Sequence, residues 1–208
     1  LLKSRTYPKK TLTGDIRYID QLESISNTDV LINLAAVHRD DIKPLSLYDE
    51  VNVNGSINIC QLARNKKINK IIFISSVAIY GFAKPNTGEN GEINYFNDYG
   101  RTKYLAEQEF IKWYKEDSDN RCLIIIRPTV IFGEGNRGNV YNLFKQIKSG
   151  KFAMFGDGKN IKSMAYVENV AAFIEFCFSM KNGIHIYNYI DKPDMTMNQL
   201  IKIVRKKL

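Results

Sequence analysis

Apolar residues follow two rhythms along this chain. Lys70-Ile71-Ile72-Phe73-Ile74-Ser75-Ser76 and Arg121 to Arg127 are apolar on successive positions, as parallel strands covered on both faces tend to be. Asp29-Val30-Leu31-Ile32-Asn33-Leu34-Ala35-Ala36 reads as a further short buried strand ending in small residues. Between these runs the spacing turns helical. Val51, Ile59, Leu62 and Ala63 predict a helix over Leu47 to Lys66. Further helices are expected over Asp98–Lys115, Asn139–Lys148, Tyr166–Met180 and Met197–Leu208. Phe152-Ala153-Met154-Phe155 and Ile184–Tyr189 predict two more strands, and Pro128 is expected to halt the strand before it. A loop rich in Gly, Asn and Pro spans Gly81 to Asn94.

Strands alternating with helices predict an α/β fold built on a mainly parallel, doubly wound sheet. After Pro128 the elements become shorter and more irregular, which places a change of role there.

Composition narrows the classes. The chain has 208 residues and a net charge of +8, from 30 basic and 22 acidic side chains. The basic residues occur in scattered pairs such as Lys9-Lys10, Lys66-Lys67 and Lys206-Lys207. This reads as a solvated basic surface, and no nucleic-acid partner is expected. Cys60, Cys122 and Cys177 are far apart and odd in number, so buried free thiols, a reducing cytoplasmic setting and no metal site are expected. No run approaches the ~20 apolar residues of a membrane span, and no membrane partner is expected.

The candidate chemistry lies between the second strand and the next helix. Ser75-Ser76 ends a buried strand, where an open α/β sheet borders its ligand crevice. Tyr99 and Lys103 share a helix face four residues apart. A phenol with an unperturbed pKa of ~10 is a poor base at neutral pH. A nearby ammonium lowers that pKa, so Tyr99 could take a proton from a substrate hydroxyl held by Ser76. Spacing alone is weak, because Tyr141 and Lys145 repeat it in what reads as an ordinary helix. Only Tyr99 follows a strand ending in hydroxyls and a long loop. Gly133-Glu134-Gly135-Asn136-Arg137-Gly138 matches a dinucleotide fingerprint. Its Asp157, however, sits in the turn Gly156-Asp157-Gly158, so the glycines read as a mobile substrate-side loop.

In chain order, Gly14-Asp15-Ile16, Asn33-Leu34-Ala35-Ala36, Asn52-Val53-Asn54-Gly55, Phe73 to Gly81, Tyr99-Gly100-Arg101-Thr102-Lys103, Arg127-Pro128, Gly156-Asp157-Gly158 and Tyr166-Val167-Glu168-Asn169-Val170 resemble the extended short-chain dehydrogenases/reductases. Within them the chain is similar to the NAD-dependent nucleotide-sugar epimerase/dehydratase group, the UDP-sugar 4-epimerases above all. The resemblance implies NAD as cofactor, with Asp15 and Ile16 at the adenine. It places Leu34, Ala35 and Ala36 along the pyrophosphate and ribose, with Asn52, Ser75, Tyr99, Lys103 and Pro128 completing the cofactor site. Ser76, Tyr99 and Lys103 become the catalytic set, and Ser76, Val77, Asn139 and Lys162 contact a nucleotide sugar. Where many relatives carry arginine this chain has Lys162, which keeps charge but loses bidentate geometry. Where they often carry asparagine it has Val130.

The family opens on a strand, a Gly-x-x-Gly-x-x-Gly turn and a helix that receives the pyrophosphate. These are not among the 208 residues. The resemblance therefore implies an incomplete Rossmann-like sheet lacking the first βα units. Residues 1–128 form a partial dinucleotide-binding domain, and 129–208 a small, mainly substrate-binding part interleaved with the sheet. Very weak NAD binding by this chain alone is expected, as is a homodimer serving polysaccharide biosynthesis. Epimerisation of a UDP-sugar at C4 is the leading expectation. A nucleotide-sugar reductase or dehydratase, and a silent fragment or binding module, are the alternatives. Val77 and Ala78 stand where a dehydratase often carries an acidic pair, which counts against elimination chemistry.

Overall fold

The computed structural model describes residues 11–26, 28–39 and 41–207; the Lys9-Lys10 pair lies outside them. Four parallel strands form the central sheet in the order β1 (Leu31–Asn33), β2 (Lys70–Ile74), β3 (Cys122–Pro128) and β7 (Gly183–Tyr189). Two small sheets stand apart from it. One pairs β4 (Val130–Phe132) with β6 (Met164–Tyr166) in parallel, the other β5 (Ile161–Lys162) with β8 (Met195–Thr196) antiparallel.

The successive apolar residues of β2 and β3 serve two cores by alternation. Ile71, Phe73, Leu123 and Ile125 pack with α2 (Gly55–Asn65) and α3 (Asp98–Lys115). Ile72, Ile74, Ile124 and Ile126 pack with Phe173, Ile174 and Cys177 of α5 (Val167–Cys177). Each strand thus needs apolar side chains on both faces, and truncating one of these isoleucines to alanine costs about 2–5 kcal/mol. A third core joins α4 (Asn139–Lys148) to α6 (Met197–Lys207) through Val140, Ile147, Leu200 and Val204.

Several sequence expectations change in detail. β1 covers only three residues, and Leu34 to Ala36 leave it as a loop. The helix expected from Leu47 begins as α1 (Ser46–Tyr48), widens into a π-helical stretch over Asp49–Asn54 and continues as α2. Pro128 is the last residue of β3, opposite Tyr189, as expected of it. Thr129 N donates to Tyr189 O, so the nitrogen at 128 faces the β2 side. There Ser75 N still donates to Ile126 O, and the next bond of a parallel ladder would need an N–H at 128, so the proline ends the pairing with β2. Phe152–Phe155 is no strand, since its apolar rhythm finds no ladder partner among the described residues. Conversely, the short strands β4, β5, β6 and β8 carried no readable pattern. The three cysteines are buried free thiols.

Candidate active site

α3 is placed against the sheet by its own first turn. Asn97, in extended conformation, accepts a hydrogen bond from Gly100 N at 2.9 Å and caps the helix. Gly100 then allows a close crossing: a Cβ there would lie 2.5 Å from the carbonyl oxygen of Ala78. That approach brings the helix onto the 3-10 turn Val77–Tyr80, whose cap is Ser76. Ser76 Oγ accepts from Ala78 N at 3.1 Å and stands near enough to the Tyr99 phenol to pull its pKa down.

The electrostatics of the pair oppose easy ionisation. Burial raises the Tyr99 pKa, and the Ser76 hydroxyl beside it offsets this only in part. Lys103 is 2% exposed. Burial pushes its pKa down to about 7, with Glu107 pulling the other way. Its Nζ lies 4.2 Å from the centre of the Phe73 ring. A phenolate so desolvated gains from any cationic or hydrogen-bonding group brought beside it.

Behind this pair lies a network that the sequence reading did not include. Glu107, one turn beyond Lys103, accepts two hydrogen bonds from Arg127, at 2.9 Å (Nε) and 2.7 Å (Nη2), with both side chains buried. Arg127 Nη1 donates to Tyr80 Oη at 2.6 Å and to Glu89 O at 2.9 Å. Tyr80 donates in turn to Asn188 Oδ1, and Asn188 N to Glu89 Oε1. The network ties α3, β3, β7 and the 81–94 loop together. Its one sequence signal was an arginine closing an otherwise apolar strand.

The cofactor-side candidates line the carboxyl ends of the strands. Buried Asn33 Nδ2 at the end of β1 and Ser75 Oγ just beyond β2 have no hydrogen-bond partner among the described residues, nor does Thr129 Oγ1 after β3. Buried polar atoms are almost always bonded, so a row of three orphans along one sheet edge fits a polar cofactor laid across it. Asn52 is fully engaged elsewhere. Its Oδ1 accepts from Val37 N at 2.7 Å, and its Nδ2 donates to Val37 O and Thr102 Oγ1. It therefore fastens the loop after β1 to α3. Asp15 pairs with Arg17, while Ile16 packs over Gly55 at the start of α2. Pro128 is buried at the end of β3.

On the substrate side, Val77 opens the turn after Ser76 and Asn139 is exposed at the start of α4. Lys162 lines an open cavity of about 610 Å³ with Leu143, Phe152, Met154, Phe155 and Met197; Asn139 is not part of that lining. Gly133–Gly138 joins β4 to α4 as a turn closed by Asn136, whose Oδ1 accepts from Gly138 N. Gly156 and Gly158 have positive φ and shape the turn carrying Asp157. No cluster of metal-ligating side chains occurs among the described residues. No helix there is long and apolar enough to cross a membrane.

Comparison with known proteins agrees with this architecture. The chain is 49% identical over 210 residues to the N-acetyl-alpha-D-glucosaminyl-diphospho-ditrans,octacis-undecaprenol 4-epimerase of Escherichia coli O157:H7, covering 99% of this chain and 63% of that protein. It is 29% identical to the UDP-glucose 4-epimerase of Vibrio cholerae, over 91% of this chain and 60% of the other. Among solved structures it resembles the UDP-glucuronic acid 4-epimerase of Bacillus cereus in complex with NAD. That match has a TM-score of 0.78 at 22% identity and covers 93% of this chain and 64% of the other. The chain thus spans under two thirds of the length of each. The NAD dependent epimerase/dehydratase family matches residues 2–189, and the chain belongs to that family.

Proposed function

We propose that the protein is an NAD-dependent 4-epimerase of a sugar joined through a diphosphate to a polyprenol, with Ser76, Tyr99 and Lys103 as its proton-transfer centre. The observation that carries the reading is the close crossing of α3 over the Ser76-capped turn beyond β2, where Gly100 meets Ala78 O, with Tyr99 beside it and buried Lys103 one turn along the helix. The 49% identity to an enzyme named for such a substrate supports the polyprenol.

Held along the edge of Asn33, Ser75 and Thr129, NAD would supply reversible acceptance of hydride from the sugar carbon. The protein's own groups handle the proton. Ser76 holds the sugar hydroxyl beside Tyr99, whose phenolate accepts the proton and later gives it back. Burial alone keeps the phenol protonated. A cation at the phenol, the Lys103 ammonium or a bound nicotinamide, would shift it toward the phenolate. The orphaned Asn33, Ser75 and Thr129 atoms suit the cofactor's polar groups. Asp15, Ile16, Leu34, Ala35, Ala36 and Pro128 complete that wall, with Asn52 positioning it. Lys162 and Asn139 meet the diphosphate, and Val77 meets the sugar. Val77 and Ala78 offer no acid for elimination, which weighs against a dehydratase.

A second reading keeps a UDP-sugar as substrate, favoured by the similarity to the Vibrio cholerae enzyme. Incubating the protein with NAD⁺ and either a polyprenyl-diphosphate or a UDP-linked sugar separates the two. Interconversion of C4 epimers on the polyprenyl substrate, without net NADH, is expected. Turnover of the UDP-sugar alone establishes the second reading. Stoichiometric NAD(P)H oxidation with a keto sugar establishes a reductase and overturns both.

A further inference from the structure

The positive charge of this protein is gathered at one end. Residues 139–208 hold eleven basic and five acidic residues, against nineteen and seventeen in residues 1–138. Within the first group, α4 and α6 pack on each other and neither contains an aspartate or glutamate. The segment 149–156 that follows α4 contains none either. Lys145, Lys148, Lys151, Lys202, Arg205 and Lys206 make no ion pair among the described residues, in contrast to Arg17, Arg64, Arg101 and Arg127 on the sheet side.

These charges border the substrate cavity. Lys151 and Lys162 line it, and Met197 at the start of α6 closes one side. The next residue, Asn198, opens a second depression of about 510 Å³ lined by Lys202, Arg205 and Lys206, which lie along one helix face. Asn198 donates to Asp157 O and Gly158 O, which joins the two depressions through the 156–158 turn. Apolar side chains stand exposed in the same region: Phe155 is 91% exposed, Ile161 58% and Ile203 46%. Basic residues interleaved with exposed aromatic and aliphatic ones are the chemistry of an interfacial membrane contact.

We propose that the α4–α6 face is a docking surface for an anionic phospholipid bilayer, and that it brings the cavity mouth to a lipid-borne substrate. The proposal rests on the polyprenyl-diphosphate reading above, because a polyprenyl chain keeps the sugar diphosphate at the bilayer surface. The occupant is selected by charge complementarity: an anionic leaflet attracts each nearby Lys or Arg, within about a Debye length. This departs from the expectation of a merely solvated basic surface. A docked face of this kind needs no spanning helix.

The test is co-sedimentation of the protein with vesicles of phosphatidylcholine, with and without about one third phosphatidylglycerol. Binding to the anionic vesicles, released by salt, is expected. Each charge removed should weaken it about 5-fold. The triple variant K202E/R205E/K206E should stay in the supernatant while turning over the polyprenyl-diphosphate sugar in neutral detergent micelles as the wild type does. Equal binding to both vesicle types, unchanged binding of the triple variant, or no binding overturns the docking surface. So does binding to single-stranded DNA at least as tight as to the anionic vesicles. A protein that sediments as expected but turns over only UDP-sugars in the micelle assay overturns the substrate reading instead, so the two failures are told apart.

Discussion

The sheet-side centre and the cavity side of this molecule are built on opposite plans. Around Tyr99 most polar groups are buried or half-buried and tied, the cofactor-side edge excepted: Ser76 to Ala78, Asn52 to Val37 and Thr102, Glu107 to Arg127. Around Lys162 they stand open to solvent, and most of the lysines there have no acidic partner. The first plan suits a step in which a proton must move along a fixed line. Under the proposed reading, the second suits a group that differs between a nucleoside and a polyprenol, because an open charged rim would accept either diphosphate. Chemistry would then be held by packing, and the choice of the linked group left to the surface.

The contrast can be broken from either side. The largest effect is expected from Tyr99→Phe, which removes the proton acceptor while leaving the ring. Its kcat should fall about 10²–10⁴-fold with KM little changed, measured by epimer interconversion. A fall in affinity of the same size would place Tyr99 among the binding groups instead. Next comes Arg127→Met, which leaves Glu107 buried without a partner. Urea unfolding should show a loss of about 3–5 kcal/mol, and adding Glu107→Met should recover much of it.

Lys103 gives a pH signature. Its folded pKa of about 7 lies below its ordinary 10.5. Between those values the unfolded chain binds the extra proton, so the burial cost of Lys103 is full below the folded pKa and fades as pH rises toward 10.5. Lys103→Met should therefore stabilise the protein by a few kcal/mol at pH 6 and by clearly less at pH 9, as read by urea melts. A pH-independent difference would show that the ammonium is not desolvated as described. The smallest effect belongs to the open side. Lys162→Ala should raise KM about 10-fold, as one charge-assisted hydrogen bond is lost, with the unfolding midpoint nearly unmoved. A large drop in stability would show that the rim is structural after all.

How much was legible follows the same division. α3 and α4 end where the sequence placed them, because Asn97 and Gly138 mark their starts and the apolar spacing is long enough to read. Ser76, Tyr99 and Lys103 could be nominated because a strand end, a helix face and an ordered set of motifs point to the same place. The Glu107–Arg127 pair was hidden because it joins residues twenty apart across a helix and a strand, and a sequence shows no such pairing. β4 was missed because Pro128 does end the strand before it, and three half-buried residues beyond a stop carry no readable rhythm. The basic end of the chain was visible all along. Taken in pairs, the lysines looked scattered; the gathering appears only once α4 and α6 are known to touch.

Asn52 has a consequence in mechanical terms. Its one amide grips both polar atoms of the Val37 peptide and, on its other side, the hydroxyl of Thr102. The loop after β1 and the helix bearing Tyr99 are therefore a single lever with a rivet at Asn52. Any displacement of that loop is delivered to the helix bearing Tyr99, so the two walls of the crevice cannot drift apart independently.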